Sequence, residues 1–205
     1  MKINGDLIVI SGPSGVGKST LVKAAMAQLP DLRFSVSCTT RAPRAGEVDG
    51  QAYYFLSEEE FSRRLENGEF LEHAGVFKHR YGTLKSEVLE RIVRNEEVLL
   101  DIDVQGARQI RQAAESDPVI RNAAVFILIA PPSLETLRER LTARNSETAE
   151  QLEIRLAGAK NELSSFRIYD YLVINDDLEK AAGELTGILK SIRLRTANIR
   201  EELFQ

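Results

Sequence analysis

Gly12-Pro13-Ser14-Gly15-Val16-Gly17-Lys18-Ser19, near the start of the chain, fits the pattern G-x-x-x-x-G-K-[ST] of a phosphate-binding P-loop. The apolar run Leu7–Ile10 before it predicts a buried strand, and Thr20–Leu29 after it has apolar residues at helical spacing. Strand, glycine-rich loop and helix, in this order, form the context in which the motif binds phosphate. The stretch therefore indicates a site for a nucleoside triphosphate with Mg²⁺.

The residue types of the loop match the chemistry of a polyanion. Glycines let the backbone N–H groups approach phosphate closely and adopt unusual dihedral angles. The helix that follows points its free N–H groups and the positive end of its dipole at the same place. We expect Lys18 to reach the β- and γ-phosphates and the Ser19 hydroxyl to bind Mg²⁺.

The composition narrows the class of protein. The chain has 205 residues, 43% hydrophobic and 28% charged, which is ordinary for a globular chain, and its net charge of −4 provides no overall basic field for nucleic acid. No apolar run approaches the roughly 20 residues of a membrane helix, and the N-terminus lacks the form of a signal peptide. The single cysteine, Cys38, cannot form an internal disulfide. We predict a cytoplasmic protein with no membrane or nucleic-acid partner, and either a monomer or a homo-oligomer.

Apolar strands alternate with helices along most of the chain, which predicts an α/β fold with a parallel sheet flanked by helices. The predicted strands are 7–10, 34–37, 53–56, 69–72, 76–77, 98–103, 124–130 and 171–174, and the predicted helices are 20–29, 57–67, 84–95, 106–115, 133–141, 146–165 and 178–203. We predict turns at Gly75 and at Tyr81-Gly82-Thr83. The pattern gives one domain with a core of 1–33, 85–137 and 157–205, a small mixed insert at 34–84 and a helical lid at about 138–156.

Val98–Asp103 is an apolar strand that ends in acidic residues, the Walker B arrangement. A carboxylate at this place can hold Mg²⁺, directly or through water, opposite the P-loop hydroxyl. Because parallel strands bring their carboxyl ends to one edge of the sheet, Asp101, Asp103 and Asn175 should lie near the P-loop.

The insert carries a candidate second anion site. Arg41 and Arg44 lie three residues apart beside Pro43, and guanidinium groups bind phosphate oxygens in a bidentate manner. Tyr53 and Tyr81 offer hydroxyl groups in the same insert. A pair of solvated surface arginines is the alternative, but the neighbouring triphosphate site favours a second phosphate-bearing substrate.

A further group of arginines is predicted on the lid: Arg138, Arg140 and Arg144 on one helix and Arg155 on the next. They either close positive charge over the phosphates or form ordinary ion pairs with nearby glutamates. The histidines, His73 and His79, have no metal-binding partners in the sequence, and no nucleophilic triad or Cys-x-x-Cys pair is present.

These motifs, together with Val36–Gly50, Tyr53-Tyr54-Phe55, Leu99–Gly106, Ala130–Ser133 and Val173–Asp177, resemble the guanylate kinase family in sequence order from about residue 5 to about 190. Two features depart from the family pattern: Thr83 stands where some members have serine, and the stretch 112–123 is longer than in compact members.

The resemblance implies phosphoryl transfer from ATP to GMP, or to dGMP, with Mg²⁺ as cofactor. It implies an ATP site of Gly12, Pro13, Ser14, Gly15, Val16, Gly17, Lys18, Ser19, Thr20 and Asn175, and a GMP site of Ser37, Arg41, Arg44, Tyr53, Glu72, Tyr81, Thr83, Asp101 and Asp103. It also implies that five basic residues surround the transferring phosphoryl group: Lys18, Arg41, Arg140, Arg144 and Arg155. Mg²⁺ would be bound by Ser19 and by Asp101, the latter directly or through water.

Two other functions remain open from the sequence. One is a guanylate-kinase-like module that binds phosphopeptides without catalysis, although such modules typically lack a complete ATP loop. The other is a P-loop kinase for a different phosphorylated acceptor, which would have no use for guanine-reading carboxylates at Glu72 and Asp103.

Overall fold

The computed structural model describes residues 5–76, 78–143 and 149–196. Along the chain its elements are β1 (Leu7–Ser11), α1 (Lys18–Gln28), β2 (Arg33–Phe34), β3 (Cys38–Thr39), β4 (Tyr54–Phe55), α2 (Glu58–Glu66), β5 (Phe70–Val76), β6 (His79–Leu84), α3 (Lys85–Val93), β7 (Val98–Asp101), α4 (Val104–Ser116), α5 (Pro118–Ala123), β8 (Ala124–Ala130), α6 (Leu134–Thr142), α7 (Ala149–Ser164), a 3-10 turn (Phe166–Ile168), β9 (Tyr171–Ile174) and α8 (Leu178–Ile192).

The larger sheet has five parallel strands in the order β2-β7-β1-β8-β9. Its central strands, β1 and β8, are buried along their whole length, because helices cover both faces of the sheet. Continuous apolar runs suit strands that have no solvent-facing side. The predicted α/β fold with a flanked parallel sheet is confirmed.

Each face of this sheet has its own apolar core. On one face Leu21 of α1 and Leu185 of α8 pack with Ile10, Ile127 and other alternate strand residues. On the other face α3, α4 and α5 pack against the remaining strand residues, such as Val9 and Phe126. The amphipathic helices therefore hold the sheet rigid between two layers, which fixes the loops that follow its strands.

Residues 38–84 contain the smaller sheet, in the order β4-β3-β6-β5. Its core is formed by Cys38, Phe61, Phe70 and Leu84, with the rings of Phe61 and Phe70 stacked at 4.4 Å. Burial raises the pKa of the Cys38 thiol to about 11, so this cysteine is a packing residue at neutral pH. The small sheet thus has its own core beside the main sheet.

Two predicted turns in this region are wrong. Tyr81, Gly82 and Thr83 lie inside β6, and Gly75 lies inside β5, where it pairs with Arg80. Both glycines are paired within the long antiparallel β5–β6 ladder, and this tertiary pairing overrides the local preference of glycine for turns.

Other boundaries also differ from the predictions. The stretch 112–123 contains a second helix, α5, whose first turn is capped by Asp117 through the N–H groups of Val119 (2.8 Å) and Ile120 (3.3 Å). The predicted terminal helix ends at Ile192, and residues 197–205 lie outside the described part, as do residues 144–148 before α7.

Within the described ranges, every helix is too short or too polar to span a bilayer.

We predict that Phe126→Ala lowers the free energy of unfolding by about 3–5 kcal/mol. The Phe126 ring is fully buried in β8, with the Arg111 guanidinium 4.0 Å from its centroid, so its removal leaves a cavity between strand and helix. Urea denaturation measures the change. Phe166→Ala is the matched control, because that ring is 48% exposed and should cost about 1 kcal/mol or less. Equal losses for the two variants would contradict this account of the core.

Candidate active site

The P-loop connects β1 to α1 and ends at Gly17, whose φ of 95° is left-handed. A Cβ at Gly17 would overlap the side-chain nitrogen of Asn175, so this position requires glycine for both its dihedral angle and its space. Asn175 is buried and donates from Nδ2 to the Val16 carbonyl oxygen (2.7 Å). Asn175, which follows β9, therefore braces the loop from outside the loop's own segment, and its place in the ATP site stays a prediction.

Lys18 lies between the P-loop and the end of β7. Its Nζ is 2.8 Å from Asp101 Oδ1 and donates to the carbonyl oxygens of Ile102 (3.1 Å) and Gly12 (3.4 Å). The pair is mostly shielded from solvent, which strengthens its electrostatic interaction relative to an exposed pair. The predicted Walker B carboxylate and the P-loop lysine are thus brought together by the parallel pairing of β1 with β7.

The predicted lid arginines lie in different surroundings. Arg155 of α7 donates to Ser14 Oγ (3.1 Å) and lines the same cavity as the P-loop. Arg140 of α6 donates to the main-chain oxygens of Asn175 (2.7 Å) and Asp176 (3.3 Å). Arg138 forms an ion pair with Glu153 (2.6 Å), a partner that was not predicted, and its Nε lies 3.9 Å from Glu135 Oε2, one of the glutamates expected to pair with the lid arginines. Arg144 lies outside the described residues.

The second candidate anion site is built around Arg41. Its guanidinium forms a bidentate pair with Glu47 (2.9 and 2.8 Å) and lies 5.3 Å from the centre of the Tyr53 ring. The Tyr53 and Tyr81 rings meet edge to face at 5.9 Å. Arg44 contributes its backbone N–H to the Glu47 carboxylate (2.8 Å), while its side chain is exposed.

Glu47 was missed in the sequence. Its hydrogen bonds with the Arg41 guanidinium and the Arg44 backbone lower the pKa of its carboxyl group. The available signal was its spacing, because Glu47 lies six residues after Arg41 and three after Arg44. Glu47 therefore links the Arg41 guanidinium to the backbone of Arg44 and orders the loop that carries both arginines.

Glu72 of β5 is a buried carboxylate in the smaller sheet, 4% exposed, and its Oε1 accepts from the Thr83 hydroxyl at 2.6 Å. Burial raises the pKa of Glu72 to about 7; the hydrogen bonds from Thr83 oppose this shift and the nearby Asp103 charge adds to it. Asp103 caps α4 by accepting from the Gly106 N–H (2.9 Å). Glu72, Thr83 and Asp103, which all belong to the predicted GMP site, therefore come together between the two sheets.

One cavity of about 690 Å³ joins these parts. It is lined by P-loop residues Gly12–Gly15 and Gly17–Thr20, by Ser37, Tyr53, Glu72 and Tyr81 of the small sheet region, by Asp101 and Asp103 after β7, and by Arg155 and Glu162 of α7, among others. The side chains of Arg41, Arg44, Thr83, Arg140 and Asn175 lie outside this lining. A continuous space thus connects the phosphate loop with the buried carboxylate.

Glu162 of α7 lines the cavity, although no sequence motif predicts it as a site residue. Burial raises the pKa of its carboxyl group, while the Lys18 charge lowers it and Asp103 raises it. Glu162 follows Arg155 by seven residues, so both lie on one face of α7. That helical spacing was the signal that could have found it.

The donor set in the cavity suits Mg²⁺. Mg²⁺ takes hard oxygen ligands, commonly one or two from the protein and the rest from phosphates and water. The Ser19 hydroxyl and the Asp101 carboxylate both line the cavity and are donors of this kind. These two residues therefore fit a metal that arrives with a nucleotide.

The fold and the site together define a P-loop kinase: a phosphate loop at the edge of a parallel sheet, facing a second polar pocket. The structure resembles a guanylate kinase from Anaplasma phagocytophilum, with a TM-score of 0.75, 36% identity and coverage of 96% of this chain and 90% of that one. A shikimate kinase from Bacteroides thetaiotaomicron shares the fold at 18% identity and a TM-score of 0.51, over 90% of this chain and 98% of that one.

Similarity in amino-acid sequence identifies the protein family within this class. The sequence model of guanylate kinase matches residues 4–192. A guanylate kinase of Symbiobacterium thermophilum is 46% identical over 195 residues, which is 95% of this chain and 89% of the relative. One of Clostridium perfringens is 43% identical over 201 residues, 98% and 90% of the two chains. This chain belongs to the guanylate kinase family.

We predict that Glu72 makes the fold less stable as the pH rises from about 4.5 to about 7. The folded-state pKa of Glu72 lies above the ordinary 4.5, so the folded protein holds a proton that the unfolded chain releases, and ionisation of the buried carboxyl costs free energy. Glu72→Gln mimics the protonated form. Its stability relative to the unmodified protein should therefore increase by about 2 kcal/mol between pH 5 and pH 8. Urea denaturation at both pH values measures this, and a pH-independent difference would contradict it.

Proposed function

We propose that this protein transfers the γ-phosphoryl group of ATP to the phosphate of GMP or dGMP, forming ADP and GDP or dGDP. The observation that carries the proposal is the single cavity that connects a complete P-loop with the buried Glu72 carboxylate. A triphosphate hydrolase would need only the first part of this space. Membership of the guanylate kinase family supports the same reaction.

The donor half of the site is the P-loop. Backbone N–H groups of the P-loop, Pro13 excepted, and of the first turn of α1 would hold the ATP phosphates, and Lys18 would contact the β- and γ-phosphates. Ser19 and Asp101 would hold Mg²⁺, which when bound neutralises charge on the phosphates. Asn175, which braces the loop through Val16, would lie near the adenine.

The acceptor phosphate would be held by hydroxyl and guanidinium groups of the insert, residues 34–84: Ser37, Arg41, Arg44, Tyr53 and Tyr81. Arg41 already presents its planar fork to the Glu47 carboxylate, an anion of similar geometry to one edge of a phosphate. A phosphate at this place would exchange with Glu47 as the partner of Arg41.

Guanine would be read by Glu72, Thr83 and Asp103. The guanine N1–H and N2–H₂ groups are donors, and a buried carboxylate is their natural acceptor, whereas adenine presents an unprotonated N1 there. An acceptor left unpaired in a buried site costs about 1–3 kcal/mol, which disfavours adenine. Asp101 would lie near the acceptor nucleotide as well as Mg²⁺.

The reaction needs no strong base, because the GMP phosphate oxygen is already an anionic nucleophile. Alignment and positive charge should suffice, with Lys18, Arg41, Arg140, Arg144 and Arg155 around the transferring group. Arg140 and Arg155 belong to the lid, about 138–156, whose closure would exclude water. We expect the protein to act in the cytoplasm.

The test is a phosphoryl-transfer assay with purified protein, ATP, Mg²⁺ and GMP, with GDP separated by anion-exchange chromatography. We expect GDP to form, and Lys18→Ala to lower kcat by about 100-fold or more, because it removes a charge that contacts the transferring group. AMP or a sugar phosphate should be a far poorer acceptor. Folded protein that forms no GDP would overturn the proposal.

Glu72→Gln should raise the KM for GMP about 10- to 100-fold while the KM for ATP changes less than about twofold. The amide keeps the size of the side chain but replaces one acceptor oxygen with a donor that opposes the guanine N–H groups. Steady-state kinetics with each nucleotide varied in turn measures the split. Glu66→Gln, on the exposed surface of α2, is the control. Equal losses for GMP and ATP would argue against guanine recognition by Glu72.

A further inference from the structure

β5, which carries Glu72, is an edge strand of the smaller sheet. Among the described residues its only strand neighbour is β6, with which it pairs in an antiparallel ladder. The register of that ladder shifts between Phe70 and Glu72, an irregularity of the kind that redirects the side chain beside it. The position of the Glu72 carboxylate therefore depends on what supports the other edge of β5.

That support comes from α4, which packs against β5. The side-chain amide of Gln109 bonds twice to the main chain of His73: Gln109 Oε1 accepts from the His73 N–H (3.0 Å), and Gln109 Nε2 donates to the His73 carbonyl oxygen (2.6 Å). This is the exchange that a neighbouring strand would make in an antiparallel ladder. The Gln109 side chain thus satisfies, at the free edge of β5 next to Glu72, the main-chain groups that a neighbouring strand would otherwise pair with.

Gly106 lies three residues before Gln109, on the same face of α4. A Cβ at Gly106 would lie 3.0 Å from Glu72 Cδ, closer still to Glu72 Oε2, and 3.2 Å from Ile102 Cδ1. The carboxylate therefore occupies space that is open only because this helical residue has no side chain. The φ of Gly106 is not left-handed, so its backbone does not require glycine.

Gly106 also fixes the second carboxylate. Its backbone N–H donates to Asp103 Oδ1 (2.9 Å), so the same residue holds Asp103 through its amide and admits Glu72 through its missing side chain. Both carboxylates line the cavity. The first turn of α4 consequently sets the distance and direction between the two acidic groups.

We infer that Gly106 and Gln109 are positioning residues for nucleobase specificity: they hold Glu72 where it can pair with guanine. The inference rests on the proposed function, because it assigns their role to the acceptor site of that reaction. Neither residue lines the cavity, and both act through Glu72. Their effect should therefore fall on GMP and on the choice of base, with ATP binding unchanged.

The decisive variant is Gly106→Ala. Alanine favours the helix, and the added methyl group meets mainly the end of the Glu72 side chain, so the carboxylate should be displaced while the fold is kept. We expect the KM for GMP to rise about tenfold or more, with the KM for ATP within about twofold. The preference for GMP over IMP, which lacks the N2 amino group, should fall by about tenfold.

Gly183→Ala is the matched control, a helical glycine of α8 whose added Cβ would meet no atom within 4 Å. It should leave both KM values and the base preference at those of the unmodified protein. Gln109→Ala is the second test, and should shift the KM for GMP and the base preference in the same direction by about threefold or more. Circular dichroism and thermal melting check that each variant folds.

The outcomes separate this inference from the proposed function. If the unmodified protein forms no GDP, the proposed function fails. If it forms GDP but Gly106→Ala keeps the original KM for GMP and the original base preference, the inference fails and the proposed function stands. Equal increases in the KM values for GMP and ATP, or loss of folding in Gly106→Ala, would also overturn it, because either result would mean that the glycine serves the general structure.

Discussion

The parallel direction of the strands in the larger sheet is the constraint on which the site depends. Parallel strands bring their carboxyl ends to one edge, so the loops after β1, β7 and β9 meet there although they are far apart in sequence. Lys18 reaches Asp101 only because β1 lies beside β7, and Asn175 reaches Val16 only because β9 ends at the same edge. The two apolar cores on either face keep this edge fixed.

Charge in the site is held in pairs. Lys18 forms an ion pair with Asp101, and Arg41 forms one with Glu47, so each of these cations is held in place by a carboxylate. Such pairs restrict the rotamers of long side chains and reduce the entropy that a later ionic contact must remove. The same logic applies to Glu72, which Thr83 and the face of α4 hold from two sides. A polar site that is already ordered loses less freedom when a charged ligand binds.

The sequence predicted the parts whose signals are local. The P-loop, the apolar strands β1, β7 and β8, and the capped helix after Ser57 can be recognised from contiguous residues, because periodicity and capping act within one or two turns of chain. The turns predicted at Gly75 and at Tyr81–Thr83 are wrong, because a glycine cannot by itself reveal that its strand has a long antiparallel partner. Glu47 and Glu162 were missed for a related reason: a single glutamate has no recognisable pattern until its partner is known.

The sequence by itself determined the phosphate loop, the α/β class and the residue types available for a second anion site. These follow from glycine dihedrals, strand and helix periodicity, and the chemistry of guanidinium and carboxylate groups. Only the tertiary structure decided which of those groups meet. In it Glu72 packs against Gly106, the Gln109 side chain bonds to the free edge of β5, and Arg140 donates to the main chain after β9. Contacts between residues this far apart depend on how sheets and helices pack, and packing is a property of the whole chain.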